Sequence, residues 1–284
     1  MSLATLLERA RGSQGRIVLA GLDGGFADVI TRAQSVSAVI GGGGIRPEDH
    51  PRHAAVAALL RRRMPNRVRD GIHALDLAAD PVRLAAGLVA LGDADGFVAG
   101  PGVPVELLAD ISEWTLGPPA DGTIRAAHWL LLSDGALVAM ADCVLAGELG
   151  ASERAVLADL AATAHARAGA GAPRVAFLAG PAGRDDGGAV EGAVAAFAAR
   201  RPDTIAMADR QVRFRDRANV LIFPGGSAGH LALRTAREVS GALLLGPLLL
   251  GPPGVIMGVS DDASDEEMAG TVALAALIAD RAGT

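Results

Sequence analysis

Short runs of Val, Ile, Leu and Ala alternate along the chain with longer alanine-rich stretches whose apolar positions recur at helical spacing. The runs predict strands at 16–20, 37–40, 96–99, 127–132, 137–140, 174–178 and 218–223. They lack the polar alternation of a half-exposed strand, so they suit strands buried on both faces. Helical spacing predicts helices near 52–63, 81–91, 152–169, 189–200, 228–240 and 264–281. Strand and helix alternate, the pattern of an α/β fold with a largely parallel sheet. The pair at 127–132 and 137–140 is the exception, because Ser133-Asp134-Gly135 between them is a hairpin turn signal. Such an antiparallel pair marks a change of sheet and places a domain boundary after 117–122. The expected domains are 1–122 with 245–284, and 123–244. Gly41 to Gly44 reads as a flexible connection, and no internal repeat is evident.

Composition narrows the chemistry. The chain has 284 residues at 50% apolar content, enough for a sizeable core. All 26 basic residues are arginine, and tyrosine is absent. That excludes a lysine Schiff base, a cofactor held as a lysine imine and a phosphate loop that needs lysine. Six histidines and one cysteine exclude a cysteine-rich zinc site or a disulfide framework. The lone thiol fits a reducing compartment. A net charge of −6 gives no overall pull toward nucleic acid or an anionic membrane. The first ten residues lack a signal-peptide core, and apolar runs such as 272–279 are too short to span a bilayer. A cytoplasmic protein is expected.

Three glycine-rich segments follow predicted strands, at 21–25, 180–184 and 224–230. Glycines let backbone N–H groups approach an anion, and a following helix N-terminus adds partial positive charge. The third segment, with Ser227, Gly229 and His230, leads straight into a helix; the same glycines would also serve as tight turns. The acidic stretch at 260–267 could supply a general base or a cation site. Its Ser264 and Glu267 also have capping-box spacing, and on sequence alone the cap is the better reading. Five arginines within residues 61–69, without interleaved aromatics, read as a solvated helix end. His50 and His53 read as surface residues, and His73, His128 and His165 as structural or surface ones, since none has metal-ligand spacing. Cys143 has no histidine near it in sequence and reads as a buried, inert thiol.

Several segments, in order, resemble the phosphate acetyltransferase and phosphate butyryltransferase family. They are 217–224 with Ser227-Ala228-Gly229-His230, then Gly246 to Gly251, then the acidic helix start at Ser264. Upstream, Leu91 to Gly100 is similar to the family's LGDADGMVSG, Ala141-Asp142-Cys143 to its GDCAVN, and 16–20 to its opening strand. The resemblance implies two α/β domains with largely parallel sheets, isocitrate/isopropylmalate dehydrogenase-like, with the active site in the cleft and a homodimer. It implies that coenzyme A, as substrate, attacks the acyl carbon of an acyl phosphate. Ser260 and Glu267 then fall on the family's catalytic serine and acid, and Gly100, Ser227, Gly229, His230 and Gly246 on its substrate-binding turns. No metal, nucleic acid or membrane is implied.

The chain also departs from the family pattern. The arginine after the family's serine is Asp261, a second arginine is replaced by Asp110 or is not near, and the asparagine after the family's AG is His230. At about 4 Å and an effective dielectric near 20, each reversed unit charge is worth about 4 kcal/mol in raw Coulomb terms. Arg46, Arg125 and Arg184 are candidates to compensate. Two readings follow: an acyltransferase moving acyl groups between coenzyme A and phosphate, or a fold relative without that activity that binds ligands, assists another protein or catalyses another reaction.

Overall fold

The computed structural model describes residues 1–21, 36–41, 43–119, 122–141, 144–145, 147–179, 186–209 and 218–280. In chain order the elements are α1 (Leu3–Arg11), β1 (Ile17–Ala20), β2 (Val36–Ile40), a 3-10 turn (Pro47–Asp49), α2 (His53–Arg63), α3 (Gly71–Ala78), α4 (Pro81–Ala90), β3 (Gly96–Ala99) and α5 (Val105–Leu116). Next come β4 (Arg125–Leu131), β5 (Leu137–Ala141), α6 (Ala151–Arg167), β6 (Arg174–Leu178), α7 (Asp186–Arg200), β7 (Ile205–Asp209) and β8 (Val220–Ile222). The chain continues through α8 (Gly226–Ser240), β9 (Leu243–Leu250), β10 (Val255–Met257) and α9 (Asp265–Ala279). Two compact units result: a first of Leu3–Ile124 with Gly246–Thr284, and a second of Met1–Ser2 with Arg125–Leu245.

In the first unit the strands run in the order β2-β1-β3-β10-β9. β1 is parallel to β2 and β3, and β3 is parallel to β10. β10 pairs antiparallel with β9, so the hairpin at 127–141 is not the sole exception to parallel order. Every residue of β1 and β3 is buried. Since successive side chains point to opposite faces, both faces of these strands are covered. Helices α4 and α9 pack on them, and α1 packs on α9. α9 is apolar all round and buried from Glu267 to Ala279, as a helix with no polar face must be. Helix starts follow from local capping: Asp80 accepts the Arg83 N–H at 2.8 Å, and Asp70 accepts that of His73 at 2.8 Å. Within the expected connection Gly41 to Gly44, Gly42 lies outside the described residues. The Gly44 N–H donates to the Gly41 carbonyl and the Ile45 N–H to the Val39 carbonyl, both at 2.9 Å, which closes a turn.

In the second unit the order is β4-β5-β8-β6-β7, with the β4–β5 hairpin antiparallel and the other pairs parallel. The register aligns His128 with Met140, Met140 with Leu221 and Leu221 with Ala176. These residues therefore share one face. Leu130, Phe223 and Leu233 of α8 join Met140, Ala176 and Leu221 in one buried cluster. The opposite face carries Phe177, whose ring meets that of Phe197 on α7 edge-on at 5.8 Å between centroids. α8 stops at Gly241, whose φ of +62° is the left-handed C-terminal conformation that glycine adopts without strain.

Candidate active site

In the first unit, two loops and Gly246 of β9 come together at one end of the sheet. β3 and β10 are parallel, so their carboxyl ends coincide, and antiparallel β9 brings its amino end there too. The loop after β3 contains Gly100, whose N–H donates to the Ala20 carbonyl at 2.9 Å. Gly102 follows with φ of +84°, and its N–H donates to Asp261 Oδ1 at 2.8 Å. The Gly258 N–H after β10 donates to the Pro247 carbonyl at 2.8 Å. Gly246, with φ of +102°, donates its N–H to Thr271 Oγ1 of α9 at 3.1 Å. Gly100, Gly246 and Ser260 are thus gathered at one end of the unit, above the first turns of α9.

Glu267 lies in that first turn. The Ser264 N–H donates to Glu267 Oε2 at 2.9 Å, and the Glu267 N–H donates to Ser264 Oγ at 3.2 Å. The capping box read from the sequence is therefore present, and its acid is 3% exposed. Asp261 is exposed, and its carboxylate accepts the Gly102 N–H and closes the loop after β3. Asp110 is an exposed residue of α5.

In the second unit, the carboxyl end of β8 runs through Pro224 and Gly225 into α8, whose first turn carries Ser227, Gly229 and His230. Ser227 and His230 are exposed and Gly229 is buried. Gly225 precedes the helix without a side-chain cap, so the first N–H groups of α8 are not bonded by a capping side chain. That is the arrangement in which a helix start favours an anion. His128 lies fully buried on the face that α8 covers, and burial, with a smaller contribution from His230, pushes its pKa down to about 3. Buried Arg154, in the first turn of α6, donates from Nε to the Leu149 carbonyl at 3.0 Å and from Nη2 to the Pro224 carbonyl at 3.2 Å.

The remaining sequence candidates divide. Arg46 is exposed and paired with Asp49 at 2.7 Å, while buried Arg125 lies 3.5 Å from Glu153. Arg61, Arg62 and Arg63 are the exposed last turn of α2, as expected of a solvated helix end. Arg67 stacks over Trp114 at 4.2 Å, a cation–π contact that charge counting did not foresee. Residues 22–25, Cys143, the segment 180–184 with Arg184, and Arg217 lie outside the described residues. Among the described residues no group of three or more His, Cys, Asp or Glu could hold a metal ion. No described helix is long and apolar enough to cross a membrane. Thr271 and Arg154 were not foreseen from sequence. A basic residue in the first turn of a helix, where the dipole disfavours it, was the signal for Arg154.

Comparison with known proteins bears on the same regions. The family described as Phosphate acetyl/butaryl transferase matches residues 38–203 and 181–276. A phosphate acetyltransferase of Paracoccus denitrificans is 30% identical over 237 residues, covering 74% of this chain and 74% of that protein. One of Corynebacterium glutamicum is 28% identical over 206 residues, covering 66% of this chain and 62% of that protein. A phosphotransacetylase of Streptococcus pyogenes superposes with a TM-score of 0.80 at 18% identity, covering 98% of this chain and 99% of that one. The α/β fold with largely parallel strands is thus shared with phosphotransacetylases of solved structure. With sequence matches running from the second strand into the last helix, the chain belongs to the phosphate acetyl/butyryl transferase family.

Proposed function

We propose that this protein is a phosphate acyltransferase that moves an acyl group between coenzyme A and phosphate. The observation that carries the reading is the family match over 38–276, which includes the loop after β3, the start of α8 and the turn into α9. In the direction of thioester synthesis, the coenzyme A thiol gives up its proton and its sulfur forms a bond to the acyl carbon. The bond from that carbon to the phosphate oxygen breaks, and phosphate leaves with the electron pair. A thiol of pKa about 8.5 needs a base, and a multiply charged leaving group needs donors aimed at it.

Glu267 is the base in this scheme. A carboxylate offers about four lone-pair sites, so the bond from the Ser264 N–H does not exhaust its capacity to accept a proton. Ser260 supplies a hydroxyl from the turn that leads into α9. Gly100 of the loop after β3 and Gly246 of β9 leave room for substrate in the first unit. Ser227, Gly229 and His230 hold an anionic group at the start of α8, where N–H groups replace part of the charge lost with the family's arginines. The two units are the two domains of the enzyme. It acts as a cytoplasmic homodimer on an acyl phosphate or acyl-CoA, without nucleic acid or membrane.

The similarity to phosphate acetyltransferases favours this over a relative devoid of the activity. The deciding assay mixes the purified, folded protein with coenzyme A and acetyl or butyryl phosphate and follows thioester absorbance. Turnover above background is expected with one of the two acyl phosphates. Its absence with both would overturn the reading.

A further inference from the structure

We propose that Arg154 is a positioning residue that locks the loop after β5 to the loop after β8 and so fixes the first turn of α8. Three contacts join the loops. Arg154 Nε donates to the Leu149 carbonyl at 3.0 Å and Nη2 to the Pro224 carbonyl at 3.2 Å. Glu148 and Gly225 form an antiparallel bridge. The approach is close: a Cβ on Gly225 would stand 3.2 Å from the Gly147 carbonyl oxygen.

Nothing within the start of α8 performs this task. Its first residues are Gly225, Gly226 and Ser227, and Gly225 brings no capping side chain. Two glycines leave the backbone with many conformations to lose. The constraint comes instead from α6. A guanidinium presents its donors in a planar fork, so binding two carbonyls at once sets the distance and angle between them. Arg154 is 3% exposed, and the two carbonyls that engage Nε and Nη2 offset part of the cost of burying its guanidinium. Its position in the first turn of α6 adds a further cost, since the dipole there disfavours a cation. The residue does not touch the substrate in this scheme; it acts through the carbonyls that aim the α8 turn.

The test uses the full chain with Arg154→Met, which keeps volume and removes the fork, and Arg154→Lys, which keeps the charge as a point. Hydrogen exchange of peptides covering 223–233 should quicken by at least about tenfold in both variants, while peptides from α9 keep wild-type exchange. The KM for phosphate should rise by a similar factor, with kcat changed less. Wild-type exchange over 223–233, equal acceleration in α9, or an unchanged KM would overturn the proposal. Should Arg154→Met fail to fold, Arg154→Lys carries the same measurements. Only the kinetic arm rests on the acyl-transfer reading. An enzyme with no turnover in any form would sink that reading, and exchange would still decide the role of Arg154.

Discussion

Replacing Thr271 by valine isolates the bond that ties Gly246 of β9 to the last helix. Thr271 is fully buried, and its Oγ1 accepts the Gly246 N–H at 3.1 Å. Valine fills the same volume but offers no acceptor, so the amide is left buried and unpaired. An orphaned buried donor costs roughly 1–3 kcal/mol, and the added methyl returns less than about 1 kcal/mol. A net loss of about 1–2 kcal/mol is expected in urea denaturation, with the slope against urea unchanged because the same surface is exposed on unfolding. Thr271→Ser is the control. It keeps the acceptor and loses one buried methyl, at about 1 kcal/mol. The two losses are close in size, so native-state exchange at the Gly246 amide separates them: faster in the valine variant, unchanged in the serine variant. Wild-type stability in Thr271→Val, with the Gly246 amide still protected, would refute the role given to the hydroxyl.

Three further outcomes are expected. Glu267→Gln keeps an acceptor for the Ser264 N–H, so denaturation should change little, yet thioester formation should slow by about a hundredfold or more; a near wild-type rate would leave Glu267 as a cap only. Asp261→Asn keeps an acceptor for Gly102 while removing a negative charge, and the KM for phosphate should fall about two- to fivefold; an unmoved KM would show that this charge does not reach the substrate. His165 is wholly buried with neither ring nitrogen hydrogen-bonded, and burial, aided by Arg174, pushes its pKa from 6.5 down to about 4. Below pH 6.5 the unfolded chain takes up the proton first, so the stability that His165 contributes falls with falling pH and levels off near pH 4, for a total of about 3 kcal/mol from this group. His165→Leu should flatten that part of the stability profile in pH-dependent urea melts, and an equally steep profile would contradict the assignment.

Local signals carried most of what could be read from the residues. The runs at 16–20, 96–99 and 174–178 became β1, β3 and β6, because apolar strands buried on both faces need no partner to be recognised. The capping box of α9 was legible for the same reason, since Ser264 and Glu267 stand one helical turn apart. β9 was missed because Gly246 and Pro247 interrupt its leucines, and α5 because Pro101 and Pro104 make its approach look like a continuing loop. α1, α3, β7 and β10 were also missed; they are short, and propensity alone seldom decides such segments. The site was less legible than the fold. Gly102 meets Asp261 across 159 positions and Gly246 meets Thr271 across 25, and no periodicity encodes such pairings. The bond that Asp261 makes is hidden for that reason: the N–H that engages it lies on a loop distant in sequence.

The order in which the units are threaded bears on how the polypeptide is made. Residues 3–124 leave the ribosome before residues 125–245, but β10, the C-terminal part of β9 and the buried helix α9 belong to the same unit and follow both. Until they do, β3 has one unpaired edge and part of its apolar surface lacks cover, while the second unit, Met1–Ser2 with the continuous stretch from Arg125 to Leu245, waits for nothing downstream. The second unit is therefore able to fold before the first is complete, and residues 3–124 are the part that chaperones would need to shield in the meantime.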